Sequence, residues 1–319
     1  MVKRLTMVVP CYNEEEVIEE TASRLKDKYT SLIENKQIAN NSTIIFVNDG
    51  SGDNTWGLIK ALHDNDSVFC GLSLSRNYGH QNALLAGLMV AAKHADMVIT
   101  MDCDLQDDIN SIDGMISAFY AGHDIVYGVR TARRKDRFIK KHTAQGFYRL
   151  MHKLGVEIVY NHADFRLMSK RAVIALGQFK EINLFLRGVV PMVGFPSTTV
   201  EYERGERFAG ETKYPFKKMI AFAIEGITSL SVRPIRAITV IGLLSFVTSF
   251  IMLIYFVIDY IRGGTVDGWA SLIVSIWALG GLQLLAIGII GEYIGKIYLE
   301  AKARPRYIIS EEVLNEEGV

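Results

Sequence analysis

The sequence is poor in cysteine and has none of the glycine-rich signatures of nucleotide cofactor binding. Three cysteines, Cys11, Cys70 and Cys103, occur among 319 residues, and their spacing fits neither a metal site nor a redox pair. We expect free thiols in a cytoplasmic protein. The glycine-rich dinucleotide fingerprint and the P-loop are both absent, which argues against a dehydrogenase or a kinase.

An excess of charge of either sign is also lacking. The chain has 35 Lys and Arg residues and 35 Asp and Glu residues, so its formal net charge is zero. No overall attraction to nucleic acid is therefore expected. The length of 319 residues suggests about two domains.

Charge is missing altogether from two long stretches near the carboxyl end. Ala237–Ile258 and Trp269–Gly291 are uncharged runs of about 22 and 23 residues, each about 33 Å long as a helix, and a bilayer core is about 30 Å thick. The alternative is a buried helical hairpin in a large soluble core. Two consecutive runs favour transmembrane helices, and their lack of internal ionisable residues disfavours a transporter.

The flanks of the two runs predict their orientation. The connecting loop 259–268 contains one basic residue, Arg262, and two aspartates. The outer flanks of the two runs carry six basic residues: Arg233, Arg236, Lys296, Lys302, Arg304 and Arg306. The positive-inside rule then places both termini and the large N-terminal region in the cytoplasm. We predict a multi-pass protein of the cytoplasmic (inner) membrane, with a catalytic domain at 1–210, a juxtamembrane helix at 211–234, a hairpin at 235–291 and a tail at 292–319.

Strands and helices alternate in the first half, which predicts an α/β domain with a mostly parallel sheet. The predicted helices are clearest at Glu14–Ile33 and His80–His94. The predicted strands are Leu5–Pro10, Thr43–Asn48, Val68–Ser73, Met97–Met101 and Asp124–Gly128.

Acidic side chains follow two of these strands at once. Asp49 comes directly after the second strand, and Asp102, Asp104, Gln106, Asp107 and Asp108 follow the fourth. Ligands bind at this edge of open α/β sheets, and Mg²⁺ or Mn²⁺ takes carboxylates together with phosphate oxygens. The alternative is an acidic loop in which Asp107 or Asp108 caps the next helix.

Two basic amphipathic segments separate these motifs from the apolar runs. Residues 136–154 and 211–234 combine helically spaced apolar side chains with several lysines and arginines. Such helices suit an anionic membrane surface. The alternative is that the apolar stripes pack on the domain core.

Five ordered motifs resemble those of family 2 glycosyltransferases, which have the Rossmann-like GT-A fold. Val9–Glu14, Val47–Ser51 and Asp102–Asp107 resemble three signatures of the family at its usual spacing. Asp164–Met168 and Arg207–Tyr214 resemble the branch that loads sugars onto polyprenyl phosphates, which includes dolichyl-phosphate mannose synthase and the bacterial undecaprenyl-phosphate glucosyltransferases. Two positions depart from that branch: Cys103 stands where Ala is commoner, and Thr212 where Ser is commoner.

The resemblance implies a role for each motif residue. It places Mg²⁺ or Mn²⁺ on Asp102, Asp104 and Gln106, where the ion stabilises a departing diphosphate. Asp164 matches an acidic residue proposed as a catalytic base. By the same resemblance, Pro10, Tyr12, Glu14 and Asp49 would hold the base and ribose of the nucleotide sugar. Apart from the resemblance, Arg130 at the end of the fifth strand could contact phosphate or form a surface ion pair. Arg207, Thr212 and Lys213 form a cationic, hydroxyl-bearing cluster, which could bind the acceptor phosphate or be a solvated charge run near the membrane.

The acceptor chemistry removes the need for a base. A phosphate monoester, with a second pKa near 6, is already largely dianionic at neutral pH, so Asp164 can instead orient the acceptor or Arg166. His80 could point toward the donor, but a helix-start histidine more commonly caps, and we leave it out of the predicted site.

The resemblance implies an inverting enzyme that moves a hexose, glucose from UDP-glucose as the best guess, to undecaprenyl or another polyprenyl phosphate at the cytoplasmic membrane face, for cell-envelope glycan modification. The resemblance does not decide the oligomeric state, and a homo-oligomer is possible. Two alternatives are a processive polysaccharide synthase of the same fold, whose Gln-x-x-Arg-Trp motif is lacking, and a non-catalytic nucleotide-sugar-binding membrane subunit.

Overall fold

The computed structural model describes residues 2–131, 162–181, 185–203, 205, 233–262 and 268–315. Its first elements alternate as predicted: β1 (Leu5–Cys11), α1 (Ile18–Glu34), β2 (Thr43–Asn48), α2 (Thr55–Asn65), β3 (Phe69–Leu74), α3 (His80–His94), β4 (Met97–Thr100), α4 (Ser111–Tyr120) and β5 (Ile125–Arg130). The later elements are β6 (His162–Ser169), α5 (Lys170–Gly177), α6 (Leu186–Met192), β7 (Ser197–Tyr202), α7 (Arg233–Ile261), α8 (Trp269–Ala301) and β8 (Ile309–Val313).

The described strands form one mixed sheet in the order β7-β5-β6-β4-β1-β2-β3-β8. Strands β1 to β4 are parallel to their neighbours within that group, and β5 is parallel to β7. Strand β6 runs antiparallel to both β4 and β5. The prediction of an α/β fold with a mostly parallel sheet is confirmed.

Alternating side chains of β1 show why helices cover both faces of this sheet. Leu5, Met7 and Val9 pack in a core cluster with buried residues of α1, α2 and α4. Val8 points to the other face, where a Cβ at Gly87 of α3 would lie 2.3 Å from Val8 Cγ1. Helix α3 therefore sits against β1 and β2, because a residue without a side chain permits that close approach.

The chain divides into two compact units. One comprises Met1–Arg149, Glu157–Pro215 and Arg304–Val319, and the other Leu150–Val156 and Phe216–Ala303. Residues 309–313 lie in the range predicted as a tail, yet they form β8, which pairs antiparallel with β3. The predicted amphipathic segments 136–154 and 211–234 lie outside the described residues, apart from 233 and 234, and the predicted domain ranges stay a prediction.

Helices α7 and α8 are the long apolar elements. Their most apolar windows, Ile235–Met252 and Ala278–Ala301, have mean hydropathies of 2.0 and 1.5, and none of either window is buried. Both helices are long and apolar enough to cross a membrane. A hairpin buried in a soluble core does not describe these windows, because large side chains such as Leu244 and Leu284 are 62% and 72% exposed.

Candidate active site

The carboxyl ends of β1 and β2 bring the predicted donor residues to one edge of the sheet. The loops that follow the two strands are joined by hydrogen bonds from the Asn13 amide to Ser51 Oγ (3.0 Å) and from the Glu14 amide to Thr55 Oγ1 (3.0 Å). Pro10 is buried within β1, whereas the Tyr12 ring is 49% exposed. The exposed Tyr12 side chain therefore offers surface to a ligand at this edge.

Asp49, predicted to hold the donor, also holds a loop of the protein. Its two carboxylate oxygens accept hydrogen bonds from the backbone amides of Tyr78 (2.7 Å) and Gly79 (2.9 Å). Burial raises the pKa of Asp49, and these two bonds counteract that shift in part. The carboxylate thereby fixes the turn that ends at His80, the first residue of α3.

The loop after β4 is held at its backbone, which leaves two acidic side chains only partly buried. Thr21 Oγ1 donates to the Cys103 carbonyl (2.8 Å), and the Gly205 amide donates to the Gln106 carbonyl (2.8 Å). Leu105 has a φ of 55°, the left-handed conformation that lets the loop turn sharply. Asp102 and Asp104 are half-buried at this turn, and Gln106 is buried.

Asp102 lies among other carboxylates, with His80 as its positively charged neighbour. Its Oδ1 atom is buried and makes no hydrogen bond with the described residues. Burial raises its pKa to about 6, with nearby His80 opposing the shift and Asp107, Asp164 and Asp104 adding to it. A divalent cation would compensate the excess negative charge, so these residues fit such an ion.

No three His, Cys, Asp or Glu side chains converge on a metal site among the residues that the structure describes. Mg²⁺ commonly uses one or two protein carboxylates and takes its other ligands from substrate phosphates and water. The arrangement around Asp102 and Asp104 is therefore one that a bound diphosphate would complete.

Arg130 forms an ion pair, the alternative to a phosphate contact that the sequence left open. Its Nη2 lies 3.2 Å from Asp107 Oδ1, and its Nε donates to Tyr202 Oη (3.0 Å). Tyr202 also donates to Asp107, which is buried. Asp107 therefore links the loop after β4 to β5 and β7. The alternative in which Asp107 or Asp108 is the N-cap of the next helix is wrong, because α4 begins at Ser111 with Asn110 as its N-cap.

Asp164 is surrounded by cations. Its Oδ1 accepts from Arg166 Nη2 (2.6 Å), and its Oδ2 accepts from Arg187 Nη2 (3.0 Å). Burial by itself raises the pKa of Asp164, but the hydrogen bond from His80 and the charges of Arg187 and Arg166 outweigh it and hold the pKa well below its usual range. A carboxylate so stabilised in its ionised form is a weak base.

His80 links the two acidic motifs, although we left it out of the predicted site. Its Nε2 lies 3.5 Å from Asp102 Oδ1 and 3.6 Å from Asp164 Oδ2. Burial lowers the pKa of His80, but Asp164 and Asp102 raise it by more, so the net shift is upward. Its place after Gly79, at the start of α3, was the available sequence signal.

Arg187 gave no such signal, because it lies in α6, outside every motif that we singled out. It reaches Asp164 only through the folding of the chain. The predicted acceptor residues Arg207, Thr212 and Lys213 lie outside the described residues.

Comparison with known proteins places the chain in a family. The family described as Glycosyl transferase family 2 matches residues 6–177. An uncharacterized glycosyltransferase, YkoT, of Bacillus subtilis (strain 168) is 55% identical over 313 residues, which cover 98% of this chain and 93% of the relative. A bactoprenol glucosyl transferase of Shigella phage SfV is 42% identical over 314 residues, which cover 97% and 99% of the two chains.

Similarity to solved structures is much weaker. Glucosyl-3-phosphoglycerate synthase from Mycobacterium tuberculosis, in complex with Mn²⁺, UDP and phosphoglyceric acid, is 16% identical with a TM-score of 0.46, over 72% of this chain and 77% of that one. A likeness at this level carries no functional argument. The family match and the nearly full-length relatives decide the assignment: the chain is a glycosyltransferase and belongs to glycosyltransferase family 2.

Proposed function

We propose that this enzyme transfers glucose from UDP-glucose to undecaprenyl phosphate, or to a closely related polyprenyl phosphate, at the cytoplasmic face of a membrane. The observation that carries the proposal is the pair of opposite environments on either side of His80. Asp102 lies near three other carboxylates, and His80 opposes their effect on its pKa, whereas Asp164 lies among Arg166, Arg187 and His80. The first environment suits a cation with a diphosphate, and the second suits an anionic acceptor.

The donor half would hold Mg²⁺ or Mn²⁺ with Asp102, Asp104 and Gln106. When bound, the ion stabilises the negative charge that develops on the departing diphosphate. Tyr12, Glu14 and Asp49 would hold the base and ribose beside Pro10. In this proposal Arg130 keeps its ion pair with Asp107, and the pair holds the end of β5 against the loop after β4.

The acceptor half needs no proton transfer. An oxygen of the dianionic phosphate forms the new bond to the anomeric carbon while the carbon–oxygen bond to the diphosphate breaks, and the diphosphate keeps the electron pair. The phosphate brings its own charge, since its second pKa is near 6. Asp164 then serves to orient its basic neighbours, and Arg207, Thr212 and Lys213 would add contacts to the lipid phosphate.

The two apolar helices would anchor the enzyme where its lipid acceptor lies. Relatives named bactoprenol glucosyl transferase extend over nearly the whole chain, so the similarity includes α7 and α8. If both helices span the membrane, the catalytic unit and the carboxyl end would lie on the same side, and the flanking Lys and Arg residues support the cytoplasmic side.

The direct test incubates membranes that contain the enzyme with a panel of labelled nucleotide sugars and extracts the lipid. We expect label in a lipid that carries a single sugar, with UDP-glucose as the best donor. Preference for another donor would contradict the glucose assignment. Growth of a longer glycan would indicate the processive synthase, and no transfer from any donor would indicate the non-catalytic subunit.

Replacing Asp104 by Asn tests the metal half of the proposal. The substitution removes an anionic ligand and little volume, so we expect loss of transfer with folding and membrane insertion retained. Asp108→Asn is the matched control, because Asp108 lies in the same loop and, among the described residues, its Oδ1 accepts hydrogen bonds from the Asn110 amide and side chain. Full activity of the wild-type enzyme in excess EDTA would contradict the metal requirement.

A further inference from the structure

The carboxylate of Asp164 faces more positive charge than it can neutralise. Arg166 and Arg187 both bind it, and the imidazole of His80 lies 3.6 Å from Oδ2. Asp102 is a second carboxylate near both guanidinium groups, and its Oδ1 lies 3.5 Å from His80 Nε2. Arg166 is fully buried, and its Nη1 makes no hydrogen bond with the described residues. A buried guanidinium nitrogen without a hydrogen bond is costly, and a nearby anionic ligand would add favourable charge to this cluster.

Two positive side chains of this cluster are accessible to a ligand. Arg187 is 33% exposed and His80 is 42% exposed, whereas the side chains of Asp164 and Arg166 are 5% and 2% exposed. Arg187 uses its Nη2 and, at 3.4 Å, its Nε on the carboxylate. Within the described residues no other hydrogen bond or ion pair of Arg187 is seen, so its third nitrogen, Nη1, is available to a ligand.

The order of the strands decides which ligand this is. Strand β6, which carries Asp164, lies beside β4 on the side opposite to β1 and β2. The predicted nucleotide residues follow β1 and β2, and the predicted metal residues follow β4. A ligand at Arg187 and the predicted nucleotide site would therefore lie on opposite sides of the loop after β4. In an inverting transfer the incoming nucleophile occupies that side, because it attacks opposite the departing diphosphate.

We propose that Arg187, with His80 beside it, binds the phosphate of the acceptor. Asp164 and Arg166 are positioning residues that hold the Arg187 guanidinium in place. A guanidinium suits this task because its planar nitrogens can bond two phosphate oxygens together. The inference rests on the proposed function for the phosphate monoester acceptor, the inverting attack and the places of nucleotide and metal, and it is independent of the sugar and of the lipid's length.

The test compares Arg187→Gln, Arg187→Lys and wild type. Loss of a charge-assisted hydrogen bond raises KM by roughly ten- to a hundred-fold. We expect that rise in KM for a water-soluble short-chain prenyl phosphate with Arg187→Gln, a smaller rise with Arg187→Lys, and no change in KM for the nucleotide sugar. Arg24→Gln is the control, because Arg24 forms an exposed pair with Glu20 one turn away. A rise in the donor KM alone would place Arg187 at the diphosphate and overturn the proposal.

A binding measurement separates this inference from the proposed function. Calorimetric titration of the full-length enzyme with the short-chain prenyl phosphate, without donor or metal, should give affinity that Arg187→Gln weakens at least ten-fold. That result supports the subsite even if another sugar is transferred. Equal affinity in wild type and Arg187→Gln would overturn the subsite even if glucose transfer is observed. Arg187→Lys, which keeps the charge, decides the same question if the glutamine variant does not fold.

Discussion

At the scale of single residues, an aspartate just after β4 and an aspartate on the neighbouring β6 have pKa values shifted in opposite directions. Asp102, at the end of β4, has its pKa raised to about 6, and Asp164, on β6, has its pKa held well below the usual range. The difference comes from their neighbours, because two arginines bind Asp164 and none binds Asp102 among the described residues. A bound cation would stabilise the ionised form of Asp102, whereas the ionised form of Asp164 is already stabilised by its two arginines.

The raised pKa of Asp102 predicts a gain in stability on its removal. An unfolded aspartate titrates near 3.9, so between about pH 4 and 6 the folded chain holds the extra proton and the free energy of unfolding falls as the pH rises. Asp102→Asn should therefore stabilise the metal-free protein at neutral pH, and a gain of about 1 kcal/mol would raise the unfolding midpoint by about 2–4 °C.

Thermal unfolding in excess EDTA checks this at about pH 7.5 and about pH 4.5. The gain should shrink at the lower pH, where the wild-type carboxyl is protonated. Asp108→Asn in the same loop is the control. An equal gain at both pH values would show that relief of charge is not the cause.

The lowered pKa of Asp164 predicts how the rate depends on pH. With saturating metal, kcat/KM should rise through about pH 6, where the acceptor phosphate loses its second proton, and then level off. Asp164→Asn should lower kcat/KM, since Arg187 loses its partner, but the rise near pH 6 should remain. The measurement is the pH–rate profile of both proteins with a short-chain prenyl phosphate. If the acidic limb disappears in the variant, Asp164 is a general base after all.

At the scale of secondary structure elements, β8 completes the edge of the sheet. It pairs antiparallel with β3, and Trp56 Nε1 of α2 donates to Glu311 Oε2 (2.8 Å). Gly71 of β3 leaves space for it, because a Cβ there would lie 2.9 Å from Val313 Cγ2. The carboxyl end of the chain is thus part of the catalytic sheet.

Removing β8 should therefore destabilise the catalytic unit. A chain that stops after Ile308 loses the pairing with β3 and the partial burial of Val313. A loss of about 2 kcal/mol would lower the unfolding midpoint by about 4–8 °C. The exposed edge of β3 should also promote aggregation. A chain that stops after Asn315 keeps β8 and is the matched control. Equal unfolding midpoints of the two truncated chains would show that β8 adds no stability.

At the scale of the whole molecule, the arrangement of α7 and α8 predicts which parts of the chain are accessible from each side of a membrane. The native thiols Cys11, Cys70 and Cys103 are buried, so they should react little with a membrane-impermeant maleimide. In intact cells, cysteine at Val266, between the helices, should be labelled from outside, and cysteine at Lys302 should not. Cysteine at Lys302 should become reactive when the cells are broken. The opposite pattern would reverse the predicted topology.

The sequence by itself determined the parts of this protein that depend on local patterns. Apolar runs in the sequence predicted the bounds of β2 and α3, Thr43–Asn48 and His80–His94. A continuous apolar stretch indicates a buried element whichever element packs against it. The acidic strand end at Asp102 and the two apolar helices were predicted for the same reason. The ordered motifs identified the family.

Tertiary structure decided which side chains meet. Strand β8 reads Ile-Ser-Glu-Glu-Val, a weakly apolar segment whose pairing with β3 comes from more than two hundred positions away along the chain, as in the bond from Trp56 to Glu311. Arg187 reaches Asp164 from a separate helix, and Arg130 binds Asp107 instead of standing free. A charged residue carries the same local signal whatever its partner, so only the packing of strands and helices determines whether it binds a neighbour or a substrate.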